Sequence, residues 1–154
     1  MHRRRRHYYF GIVIGYWLLV IGGILATVSF EKLEIYQLSE RLSDELWVLV
    51  LSWDSFAKDT LGKQLVRAVD SIGANIAEGS GRGSFQDNRR FVRIARGSLN
   101  ETRHWLRRAF KRGLLTQSQV ESLKPLLDEL APRLNAYLNS ISRNITNEQI
   151  TNNK

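Results

Sequence analysis

Cysteine is absent from the 154 residues, and that absence removes disulfides, thiolate zinc sites and cysteine nucleophiles together. Histidine is scarce: of three, His2 and His7 stand at the N-terminal extreme, leaving His104 alone in the body of the chain. Glu101-x-x-His104 has the spacing of half a di-iron carboxylate site of the kind built inside four-helix bundles. No second Glu-x-x-His exists to complete it, so neither a metal nor another cofactor is expected. Gly79-Ser80-Gly81-Arg82-Gly83 lacks the preceding strand and the following Gly-Lys-Ser of a phosphate-cradling loop, and reads as an interhelical turn. Acidic residues are fewer than basic ones, 15 against 23, for a net charge of +8. The length suits one bundle domain of about 100 to 125 residues with appendages, not two cores.

Charge is also missing from Tyr8 to Phe30, a run of 23 residues bounded by Arg3-Arg4-Arg5-Arg6 before and Glu31-Lys32 after. That length spans a bilayer. The chain as given therefore reads as a single-pass membrane protein with the arginines in the cytoplasm. A cleaved signal is the weaker reading, because Ala26-Thr27-Val28 is a poor small-residue cleavage site. An alternative is a start near Val28, which would give a cytoplasmic protein and make residues 1–29 a start-site artefact. Residues 1–29 are thus assigned as a basic arm and transmembrane-like segment, 30–143 as the bundle, and 144–154 as a polar, flexible tail.

Within 30–143 the apolar period is that of helices throughout. A first helix is expected from about Phe30 to Ser52. Ser52 to Asp59 lacks sustained periodicity and reads as a loop with anchoring aromatics, and Asp59 or Thr60 is the expected cap of a second helix. That helix carries Leu61, Leu65, Ala68, Ile72, Asn75 and Gly79 at 4-3-4-3-4 spacing, and should end at Gly79, Gly81 and Gly83, each able to adopt positive φ. Ser84 with Asp87 opens a third helix that repeats the seam at Phe91, Ala95, Ser98, Thr102, Trp105 and Ala109 and stops near Gly113. Thr116 with Gln119 caps a fourth, whose Leu123, Leu127, Leu130, Leu134 and Ile141 keep the repeat across Pro125 and Pro132. The fold class is all-α, an antiparallel four-helix bundle preceded by a hydrophobic, transmembrane-like helix.

Polar residues on the seam need partners. Ser71, Asn75 and Glu78 fall at i, i+4 and i+7 on one side of the second helix, and Ser98 and Glu101 lie opposite on the third. These five are expected to form one buried hydrogen-bond network, a structural polar core and not a catalytic carboxylate pair. SIGANIAEGSGR followed by FVRIARGSLNE, with FEKLEIYQLSERL upstream, resembles the small four-helix-bundle family named for proteins encoded in intervening sequences of bacterial 23S rRNA genes. That family includes the accessory protein of diversity-generating retroelements. The resemblance runs from Phe30 to about Ser142 and implies a homo-oligomer, often a pentamer, with a basic surface and no established enzymatic activity. In the retroelement members it further implies a scaffold for nucleic acid and a reverse transcriptase.

Between Arg82 and Arg112 ten basic residues face two acidic ones. Projected at about 100° per residue, Arg89, Arg93, Arg96, Arg103, Arg107 and Lys111 fall within an arc of roughly 80° opposite Ser98, a stripe about 33 Å long. A solvated helix face is also charged, but such faces mix signs. With Arg82 at its head, this stripe is the expected contact for RNA or DNA in a non-enzymatic bundle, arginine's planar fork being suited to phosphate. The rival reading is a membrane-tethered module that binds a protein partner.

Overall fold

The computed structural model describes residues 29–152. Among these there are four long helices and no strand: α1 (Glu34–Leu51), α2 (Lys63–Ser80), α3 (Phe85–Lys111) and α4 (Gln117–Asn152). Each follows from its apolar period, and the seams read from the sequence supply most of the buried faces: Leu65 and Ile72 on α2, Ala95 and Ala109 on α3, Leu130 and Leu134 on α4, with Leu42 and Leu46 on α1; Ile76 and Val92 join them fully buried, whereas Asn75, Phe91 and Trp105 are half-buried. Short connections force neighbouring helices antiparallel. The pairings agree: Val50 at the end of α1 meets Gly62 just before α2, Gly79 at the end of α2 meets Asn88 at the start of α3, and Asn88 donates to the Tyr137 hydroxyl of α4 at 3.3 Å. Glu34 of α1 pairs with Arg133 of α4, closing the ring of four.

The α1–α2 connection is more helical than its composition suggests. Ser55–Ala57 forms one helical turn and Lys58–Gly62 a π-helical turn that runs straight into α2. The cap is Asp54, whose Oδ1 accepts from the Ala57 amide at 2.9 Å, and not Asp59 or Thr60. Of the two aromatics only Trp53 anchors. It is buried, whereas Phe56 is 78% exposed.

The glycines after α2 also act differently from expectation. Among the described residues only Gly113 has positive φ, 73°. Gly79 is an ordinary helical residue needed for closeness: a Cβ there would stand 2.9 Å from Asn88 Oδ1 and 3.0 Å from Phe91 Cβ. It sets how tightly α2 and α3 approach. The Ser84 cap forms as read, with Ser84 Oγ accepting from the Asp87 amide at 3.1 Å, and so does the Thr116–Gln119 box, with reciprocal bonds of 2.8 and 3.2 Å.

α4 continues through the stretch expected as a tail, to Asn152, because Ile145 extends the apolar seam by one more turn and is buried. Pro125 and Pro132 are seven residues apart, hence on one face, and both are solvent-exposed. The amide hydrogen bonds that proline forgoes thus fall on the side where water replaces them.

The single-pass membrane assignment is corrected. No helix of the described residues is long and apolar enough to cross a membrane, since each carries charged residues along its outward face. The greater part of the apolar run, residues 8–28, lies outside the described residues. Its last residue, Phe30, belongs to the bundle: it opens a 3-10 turn (Phe30–Lys32), and its ring meets Tyr36 edge-on at 4.8 Å between centroids.

Gly79→Ala is expected to lose about 1 to 3 kcal/mol of stability, because overpacking the α2–α3 contact outweighs the helix propensity gained. Gly97→Ala, where an added Cβ meets nothing within 4 Å, should gain about 0.5 to 1 kcal/mol. Urea unfolding followed by circular dichroism compares the two, and equal shifts would remove the close-approach argument.

Candidate nucleic-acid interface

Two polar features were read from the sequence, one inside the α2–α3 seam and one outside it. Inside, the Ser98 hydroxyl donates to Ser71 Oγ across the helix pair at 3.0 Å, and the Asn75 side-chain amide donates to Ser71 Oγ at 3.0 Å and to the Ser71 carbonyl at 2.7 Å. Ser71 is the hub. Thr102, fully buried, returns its hydroxyl to the Ser98 carbonyl at 2.8 Å, so no unpaired hydroxyl is left in the seam.

The two carboxylates stay out of this network. Glu78 is exposed at the end of α2 and pairs with Arg82, while Glu101 is exposed and accepts from Trp105 Nε1 at 3.2 Å. Their separation is geometric: Glu101 lies about 60° around α3 from Ser98 at 100° per residue, and Glu78 is two turns beyond the hub. Each takes a local i+4 partner in water, which avoids the desolvation that burial would impose. Glu78 stands beside the start of α3, where Gly79 meets Asn88, and Glu101 lies about 20 Å further along that helix at 1.5 Å per residue, so the pair has no shared acid–base geometry. Among the described residues no group of three metal-ligating side chains gathers, and His104 rests edge-on against Trp105 at 4.9 Å.

Outside the seam, α3 presents its basic residues as the spacing predicts. Arg93, Arg96, Arg103, Arg107 and Lys111 are exposed, and Arg89 is half-buried. Among the described residues none of Arg89, Arg93, Arg96, Arg107 and Lys111 takes part in an ion pair. At one edge of the row the Arg103 guanidinium donates to the Leu127 carbonyl of α4 at 3.2 Å, fastening that edge. Arg82 is partly engaged, paired with Glu78 and with its guanidinium carbon 4.9 Å from the centre of the Phe91 ring. An open hollow of about 510 Å³ on the N-terminal half of α3 is lined by Gln86, Arg89, Arg90, Arg93 and Ile94. Arg90 thus joins the cationic face although it lies outside the predicted arc.

The rest of the bundle balances this face. From Glu31 onward, everything outside Arg82–Arg112 carries nine basic and thirteen acidic residues, a net −4 against +8. On the α1–α2 side, Glu40, Asp44 and Asp70 line an open cavity with Tyr36, whose phenol is pushed up to about 12 by burial and then by its hydrogen bond to Glu40. The cationic row can hold anionic groups along a line, and the acidic side would repel them.

A family model described as 23S rRNA-intervening sequence protein matches residues 31–136. A solved structure from Bacteroides thetaiotaomicron, described as a protein with unknown function from the S23 ribosomal protein family, superposes with a TM-score of 0.60 at 26% sequence identity. It covers 68% of this chain and 97% of its own. No curated protein matches the chain. The findings indicate no catalytic family.

Ser71→Ala should lower stability by about 1 kcal/mol, because it removes the shared partner of Ser98 and Asn75. Glu78→Ala should stay within about 0.5 kcal/mol, as expected of an exposed i,i+4 pair. Denaturant midpoints in the reverse order would place the polar core at the carboxylates after all.

Proposed function

Because the chain belongs to the 23S rRNA-intervening sequence protein family, we propose that it is a non-enzymatic helical scaffold that binds RNA or DNA along the cationic face of α3. The observation that carries the reading is the row Arg89, Arg93, Arg96, Arg107 and Lys111, exposed or half-buried and with no ion-pair partner among the described residues. A face built only for solubility intersperses both signs, as α4 does with its Lys124–Asp128 and Glu129–Arg133 pairs, and as the entry to α2 does with Asp59–Lys63. α3 has no acidic residue in its arc. Arginine forks spaced along a helix match phosphates held along a strand, and such contacts position without reading sequence. The relative's ribosomal family name is in keeping with an RNA partner. A reverse transcriptase within a ribonucleoprotein is the protein partner that the family resemblance adds.

Self-association is part of the same proposal. Trp47 is 53% exposed, with Val48 and Leu51 beside it on α1, a contiguous apolar edge of the kind that copies of a chain cover for one another. Repetition of the α3 row in an oligomer would multiply weak phosphate contacts through avidity.

Replacing Arg93, Arg96 and Arg107 together by Ala should weaken binding of every nucleic-acid sequence to a similar degree and reduce the salt slope of log K by about 2 to 3. Arg103 is spared because it also fastens α4. Arg41→Ala on α1 is the charge control. Filter binding across a salt series reads both, and a slope unchanged in the triple variant would reject the interface. In sedimentation velocity, Trp47→Glu with Leu51→Glu should convert the oligomer to a single-copy species, and an unaltered sedimentation coefficient would exclude that edge.

A further inference from the structure

Beside the C-terminal half of the cationic row, α3 and α4 leave a cleft of about 270 Å³ lined by Leu106, Arg107, Phe110, Val120, Leu123 and Leu127. Arg107 is its only polar lining residue. Leu106 and Leu123 are buried beneath it, yet Phe110 at the mouth is 43% exposed, so an aromatic ring is presented to solvent where the floor is already apolar. On the α3 rim the charge is of one sign. Arg103, Arg107 and Lys111 succeed one another at i+4 along this side of α3, and Arg103 is fixed there by its bond to the carbonyl of Leu127, itself a lining residue. Water gains few hydrogen bonds in such a slot, whereas a planar apolar group carried on an anionic chain would satisfy both the slot and its rim.

We propose that this cleft seats an unpaired nucleobase against Phe110, so that the α3–α4 face selects single-stranded nucleic acid over duplex. The proposal rests on the phosphate-binding reading of α3. In a duplex the bases are stacked and paired inside the helix. In a single strand they splay out and stack on aromatic side chains while cationic groups follow the backbone. The row supplies the second element and the cleft the first.

The test compares, by fluorescence anisotropy and competition, a labelled unstructured oligonucleotide, the same strand annealed to its complement, and inorganic polyphosphate, which has charge without bases. The single strand should bind most tightly. Phe110→Ala should weaken it about five- to hundredfold, the range for losing one stacked base, and leave duplex and polyphosphate affinities unchanged. Phe110→Trp should restore single-strand binding, which separates stacking from any loss of folding in the alanine variant. Equal affinity for strand and duplex, with both variants silent, overturns the cleft and leaves the cationic row standing. Failure of all three polyanions to bind overturns both. If Phe110→Ala instead changes the sedimentation coefficient without altering strand binding, a second copy occupies the cleft and the nucleobase proposal falls.

Discussion

The bundle depends on how closely α2 and α3 approach. At one end of the seam, Gly79 offers only a hydrogen where a methyl would strike Asn88 and Phe91. In the middle, two serine hydroxyls meet at 3.0 Å, a contact possible only between short side chains on helices already held near. The hydroxyls also favour one register: sliding either helix by a turn would remove the Ser98–Ser71 contact and leave each serine only its same-helix partner, Asn75 for Ser71 and the Ile94 carbonyl for Ser98. Orientation of α3 about its axis follows, and with it which of its residues face solvent. The cationic row is thus placed by an uncharged contact on the far side of the same helix.

Much of this was readable in the sequence because helical periodicity and cap chemistry are local. The seams of α2 and α3, the Ser84 cap and the Thr116–Gln119 box needed only spacing and residue type. What escaped depended on distance in three dimensions. Asp54 has no visible signature as a cap because the π-helical turn after it disguises the start of the helix. Gly79 reads as a terminator, since closeness to Asn88 leaves no mark along the chain. The wheel positions of Glu78 and Glu101 point to the core, although two turns and 60° respectively are enough for a long side chain to reach water. The extra turn of α4 hinged on Ile145, one apolar residue in a polar stretch.

At the candidate site, spacing and residue type reveal the row and its sign but not its neighbour. Phe110 reads there as one more apolar residue near a helix end. Its significance comes from Val120, Leu123 and Leu127 of α4, which a wheel of α3 cannot show. Arg103 likewise reads as one of several equal cations, yet its bond to the Leu127 carbonyl makes it the joint between row and cleft. The uncharged run from Tyr8 to Phe30 has the length and apolarity of a span, whereas the described helices are all amphipathic and Phe30, where the run ends, turns into the bundle.

The division of charge, +8 on the Arg82–Arg112 segment and −4 over the remainder from Glu31, makes the folded unit an electric dipole with a defined axis. A polyanion drawing near would exert a torque before it touched, turning α3 inward and the α1–α2 side with Trp47 away. Encounter would then be oriented as well as accelerated, and the gain would vanish as salt shortens the Debye length to about 10 Å at 0.1 M. A bundle of the same net charge spread evenly would be attracted as strongly at long range and would tumble on arrival.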